Sequence, residues 1–170
     1  ALGYFSYDLA RRVETLANIA DNAEQIPDLL IGIYDWAIIT DHQQQRCWLA
    51  SYGLNPDTHI LWAQLVQQLQ QLPPAHPAQF SIDGKLKSNM NKSQYQSAFN
   101  KIQHYIREGD CYQVNLAKRF EVAASGDAWP AYRYLRENNP APFSSFFSTP
   151  YVTVLSSSPE RFIKVSANIV

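Results

Sequence analysis

The stretch SSSPERF, Ser156 to Phe162, sets one carboxylate behind a proline at the edge of an apolar run. Pro159 has no N–H to give a sheet, so it marks an edge, a strand start or a bulge. If ERFIKVS continues as a strand, successive side chains alternate between faces. Glu160 then points away from Arg161, which need not neutralise it, and shares a face with Phe162. A carboxyl partly desolvated beside an aromatic ring holds its proton to higher pH, which is the requirement for a general acid near neutrality. The same pattern also fits an ordinary surface glutamate.

Two further stretches carry candidate chemistry. In NNPAPFSSFF, Pro140 and Pro142 stiffen the entry to an apolar strand. They either shape a plain loop or hold a rigid wall that presents Phe143 to a flat ligand. In GDCYQVN, a helix stop at Gly109-Asp110 leads into a strand on which Gln113 and Asn115 share a face. That polar pair is either solvated or lines a polar site.

Other familiar machinery is absent from the sequence. There is no G-x-S-x-G elbow, no G-x-x-x-x-G-K or G-x-G-x-x-G phosphate loop and no H-E-x-x-H. His42, His59 and His76 fall in expected turns or loops. His104 falls about half a turn off the apolar stripe of its helix, counting ~100° per residue. All four read as solvated. Cys47 and Cys111 form no C-x-x-C, and no histidine pair has metal spacing, so no metal ligand is assigned in this chain.

Composition bounds the class. With 46% apolar and 17% charged residues in 170, the chain has the makings of a folded core rather than of disorder. A net charge of -1 with scattered basic residues gives nucleic acid no basic patch to bind. No apolar run is long enough to cross a membrane as a helix, and no secretory signal pattern is present. Two distant cysteines fit a reducing, cytoplasmic setting most simply. A strand-like run starts at Ala1, and SANIV stops as another strand begins. We therefore expect residues 1–170 to be a partial single domain truncated at both ends.

The elements that must position these residues follow from pattern. GYFSYD reads as a strand, LARRVETLANIA as a short helix, and PDLLIGIYDWAIITD as a long β-rich run. RCWLASYG follows it through a turn at Asp41 to Gln45. Asn55-Pro56 caps a helix with a stripe of Leu61, Leu65, Leu69 and Leu72. PPAHPAQF (73–80) breaks it and is the best internal boundary. Asn91 and Gln94 form a capping-box pair for a helix that ends at Gly109 and buries Tyr95, Phe99, Ile102 and Ile106. CYQVNLAKRFEV reads as a strand and DAWPAYRYLRE as a helix starting near Pro130. FSSFFS, YVTVLSS and ERFIKVS read as three closing strands. The order predicts an α+β fold with largely antiparallel sheets.

GDCYQVNLAKRF, NPAPFSSFF and SSPERF, in this order, resemble the chorismate-utilising enzyme family. GYFSYDLARR and LLIGIYDWAIITDH extend the resemblance over most of the chain. Within the family, CYQVNLA and GIYDWA are closest to the aminodeoxychorismate branch. The anthranilate synthase branch typically has serine and tyrosine where this chain has Ala141 and Phe143.

The resemblance implies two facing β-sheets flanked by helices. It also implies a reaction in which chorismate loses its C4 hydroxyl and gains ammonia there, giving 4-amino-4-deoxychorismate for para-aminobenzoate and folate synthesis. Ammonia would come from a glutamine amidotransferase partner, component II, and Mg2+ would hold the substrate carboxylate. Glu160 matches the family's proton donor. The family's nucleophilic lysine, in P-I-K-G-T, and its magnesium ligands belong downstream of Val170, so this stretch alone is expected to be inactive. Pro142, Phe143 and Ser144 match part of a tryptophan-binding niche. Two rivals stay open: an anthranilate synthase component I, and a non-catalytic amino-acid-binding or scaffold module.

Overall fold

In the computed structural model the described residues are 1–17, 19, 22, 24–71 and 78–166. The chain divides into two compact units, one of Ala1–His76 with Phe143–Val170, the other Pro77–Pro142. Helices and short antiparallel strand pairs are mixed throughout, which makes the fold α+β.

In the first unit, β1 (Leu2–Phe5) pairs antiparallel with β2 (Leu29–Gly32). Beyond the last pair, Ser6 N–H donates to Asp28 O at 2.7 Å. The Ser6 hydroxyl accepts from Leu9 N–H at 3.2 Å and so starts a 3-10 helix, Tyr7–Arg12. That short helix overlaps the one expected over LARRVETLANIA only at residues 9–12; residues 13–17 are not helical. Residues 18 and 20 of that stretch lie outside the described residues.

The β-rich run then forms β3 (Trp36–Asp41), which pairs with β4 (Arg46–Ser51). The hairpin turn falls where the sequence places it. Asp41 accepts from Gln43 and Gln44 N–H at 2.8 and 2.9 Å, and Gln45 takes a left-handed φ of 54°.

Helix α1 (Pro56–Gln70) starts as predicted, with the Asn55 side chain accepting from Asp57 N–H at 3.0 Å. Its inward stripe differs from the leucine series. Trp62, Leu65, Val66 and Leu69 are half-buried while Leu61 is exposed. The i, i+3, i+4, i+7 set is the one that stays on a single face at 3.6 residues per turn. Leu72 and most of the proline-rich segment, residues 72–77, lie outside the described residues.

The first unit closes with β9 (Ser145–Ser148) paired to β10 (Thr153–Ser156). The Thr149 hydroxyl holds their turn, accepting from Val152 N–H at 3.0 Å and donating to Val152 O at 2.8 Å. Phe147 is buried, and its ring meets Tyr4 of β1 edge-on, with centroids 6.4 Å apart.

In the second unit, β5 (Phe80–Ile82) pairs with β8 (Ala124–Gly126), and β6 (Lys87–Ser88) with β7 (Phe120–Glu121). Helix α2 (Lys92–Glu108) carries the full capping box. Asn91 and Gln94 exchange side chain-to-backbone bonds of 2.9 Å each. Gly109 closes α2 at φ 81°, with Asp110 N–H returning to Tyr105 O at 3.0 Å. The expected burial of Tyr95, Phe99 and Ile106 is not present; all three are exposed, and Ile102 is half-buried.

Helix α3 (Ala128–Asn138) starts two residues before Pro130. Asp127 caps it, accepting from Trp129 N–H at 2.8 Å. Proline is tolerated in the first turn, where an N–H has no helical partner anyway. Tyr132 of α3 is the buried aromatic of this unit, stacked at a tilt on Trp129.

Two predicted strands are corrected. Of Cys111 to Val122 only Phe120–Glu121 pairs, and residues 160–165 form no strand. A strand exists only against a neighbour whose backbone satisfies its ladder, and alternation along one segment does not supply that neighbour.

Candidate functional site

The site is built outward from the β9–β10 hairpin. Its register sets Ser145 against Ser156. Two residues further out, Phe143 N–H donates to Ser158 O at 3.1 Å, so the ladder runs one bond beyond the strands. It stops there for a chemical reason: Pro142 precedes Phe143, Pro159 follows Ser158, and neither has an N–H to offer. The chain then turns. The Ser158 hydroxyl donates to Glu160 O at 3.0 Å and lies 3.4 Å from Glu160 N. Arg161, next in line, sets its guanidinium over the Phe143 ring, 5.2 Å from the centroid.

Glu160 therefore sits in a turn rather than in a strand, and it is exposed. The expected shelter beside Phe162 is not present, since that ring is 90% exposed. Without a ladder to fix alternation, the two side chains share no sheet face. The alternation expected to turn Arg161 away from Glu160 is therefore absent; its guanidinium lies instead over the Phe143 ring.

Of the residues matched to a tryptophan niche, Pro142 is exposed, Phe143 is 38% exposed and Ser144 is half-buried. The structure brings Phe143 together with the segment that carries Glu160. Sequence reasoning treated these as separate sites. The signal was available: counting outward from the Thr149–Val152 turn pairs Phe143 with Ser158. Gln113 and Asn115 lie in an exposed stretch without regular structure.

A second feature went unread in the sequence. An apolar cavity of about 740 Å³ in the first unit is walled by Tyr34, Trp36, Ile39, Tyr52, Phe146 and Phe147, with Asp35 at its wall. Asp35 is held below the ordinary carboxylate value of 3.8. The hydroxyl of Thr58 is the first cause; desolvation, the next in size, opposes it, and Leu54 N–H and the Ser51 hydroxyl, at 2.9 and 3.0 Å, add to the lowering. Neither Glu160 nor residues 142–144 line this cavity.

Among the described residues, no group of three His, Cys, Asp or Glu side chains is placed to hold a metal ion. Cys47 and Cys111 are free thiols. Among the described residues, no helix is long and apolar enough to cross a membrane.

Comparison with known proteins fits this frame. The family described as chorismate binding enzyme matches residues 1–170, and the chain belongs to that family. It is 45% identical over 165 residues to aminodeoxychorismate synthase component 1 of Klebsiella aerogenes, covering 97% of this chain and 35% of that protein. Identity to the Escherichia coli K12 protein of the same name is also 45%, over 163 residues, covering 96% of this chain and 34% of that protein. Anthranilate synthase alpha subunit 1 of Arabidopsis thaliana is more distant, at 27% identity over 191 residues, 98% of this chain and 32% of that protein. The chain thus spans about a third of the length of these relatives. The crystal structure of anthranilate synthase component I from Streptococcus pneumoniae superposes with a TM-score of 0.78 at 22% identity, over 97% of this chain and 39% of that one. At that identity the likeness shows the fold.

Proposed function

We propose that this chain is part of an enzyme that aminates chorismate at C4, giving 4-amino-4-deoxychorismate. The observation that carries the reading is the 45% identity, across nearly the whole chain, to proteins named for that product. The bonds balance without a redox partner. The C4–oxygen bond breaks and the hydroxyl leaves as water after taking a proton. A C4–nitrogen bond forms from ammonia, and the proton released from the new ammonium restores the acid.

Glu160 is the proton donor in this reading. It is an exposed carboxyl on a turn pinned by Ser158, open to a substrate brought against it. A carboxylic acid so placed assists departure of a hydroxyl by general acid catalysis. The motif matches support three further proposals: a glutamine amidotransferase supplies the ammonia, magnesium binds at ligands outside the described residues, and Pro142, Phe143 and Ser144 form part of a tryptophan niche. A cytoplasmic location goes with them.

The test is product analysis of the full-length protein supplied with chorismate, ammonium and Mg2+. The expected product is 4-amino-4-deoxychorismate. Appearance of fluorescent anthranilate would overturn the reading in favour of the anthranilate branch. Full turnover failure with intact folding would favour a non-catalytic binding module.

A further inference from the structure

The turn that carries Glu160 is bracketed on both sides by contacts to one residue. Before it, Ser158 O accepts from Phe143 N–H at 3.1 Å. After it, the Arg161 guanidinium lies over the Phe143 ring at 5.2 Å. Between these two anchors Pro159 fixes its own φ, and the Ser158 hydroxyl reaches Glu160 O at 3.0 Å. Phe143 is tied in turn to the rigid end of the β9–β10 hairpin, whose Phe147 is buried. Glu160 lies outside the hairpin ladder and reaches it through the turn that Phe143 anchors.

We propose that Phe143 is a positioning residue for Glu160, acting through Ser158 and Arg161. This deepens the proposed function and rests on it, since it matters only if Glu160 is the acid. Its N–H fixes where the turn begins. Its ring face holds Arg161, which sets the direction in which the chain leaves Glu160 and keeps the guanidinium engaged beside the carboxyl-bearing residue. An acid must lie within hydrogen-bond reach of the atom it protonates, and a misplacement of about 1 Å costs on the order of 10²-fold in rate.

The experiment uses the full-length protein with chorismate, ammonium and Mg2+, reading kcat and KM separately. Glu160→Gln comes first. If it keeps wild-type kcat, the acid reading fails, and that result is visible before any Phe143 variant is made. If it is impaired, Phe143→Leu, which keeps apolar bulk and the backbone N–H but removes the ring face, should lower kcat by roughly 10- to 100-fold with KM for chorismate within about two-fold. Arg161→Gln should act in the same direction, and Phe143→Tyr should restore most of the lost turnover.

The decisive readout is the Phe143→Leu, Glu160→Gln double variant. If Phe143 acts through Glu160, the double is no slower than Glu160→Gln alone. Multiplying losses, or a Phe143→Leu effect confined to KM or to melting temperature, would overturn the positioning role while leaving Glu160 as the acid.

Discussion

The Asp35 carboxylate accepts from the Ser51 hydroxyl at 3.0 Å, which closes the open end of the β3–β4 hairpin. Leu54 N–H donates to the same carboxylate at 2.9 Å, and the nearby Thr58 hydroxyl is the first cause that lowers its pKa. These bonds favour the charged form, so the folded pKa lies below the ordinary 3.8. A group with a depressed folded pKa contributes stability that is fully present above its unfolded value and is lost as pH falls through its folded value.

Asp35→Asn should therefore lower the melting temperature at neutral pH. The gap to wild type should close as pH drops below the ordinary carboxylate value. Thermal unfolding of both proteins across the acid range is the check. A gap that stays constant down to strongly acidic pH would mean that charge on Asp35 contributes nothing.

The capping box of α2 gives a second prediction. Asn91 and Gln94 satisfy two helix-terminal N–H groups through reciprocal bonds of 2.9 Å. Removing an N-cap side chain costs about 1 kcal/mol. Asn91→Ala should lower stability by about that much and Asn91→Asp by much less. Urea unfolding followed by helical circular dichroism measures both. Equal loss in the two variants would mean that the amide itself, rather than an acceptor oxygen, is required.

A third prediction isolates backbone conformation. Gly109 sits at φ 81°, and a Cβ added there meets nothing within 4 Å. Gly109→Ala then carries left-handed strain without a clash, which costs roughly 1–2 kcal/mol. Gly109→Asn should cost less than alanine, since asparagine visits that region more readily. If alanine were neutral in urea unfolding, the helix end would have to rearrange.

These local devices were readable because each is decided within about four residues. Asn55-Pro56, Asn91 with Gln94, and Gly109 specify helix ends by side-chain and φ chemistry that no distant partner alters. The misread elements depend on distant partners. Cys111 to Arg119 and residues 160–165 alternate like strands but find no ladder among the described residues, and alternation does not create one. Pro130 signalled a helix start that Asp127 in fact makes, because proline is harmless anywhere in the first turn. The leucine series in α1 misled by composition: Trp62 and Val66 complete the inward face that Leu61 leaves. Glu160 was legible as a residue but not as an environment, since burial is a property of the whole fold.

The fourth prediction concerns that residue. Glu160 is open to an incoming substrate, its backbone is held by Ser158, and the neighbouring Arg161 lies over the Phe143 ring. Nothing in its surroundings makes it important to folding, because its described contacts are made by its backbone. Glu160→Gln should thus leave the melting temperature of the full-length protein within the range of ordinary surface changes, about ±0.5 kcal/mol. Turnover should fall by about 10²–10⁴-fold, the usual worth of general acid catalysis. KM for chorismate should change little, because the proton transfer is made in the transition state and not in the ground state. Steady-state kinetics beside a melting curve separates the cases. Lost turnover with an unmoved melting temperature establishes a chemical role, whereas a lowered melting temperature with turnover preserved would return Glu160 to the status of a structural glutamate.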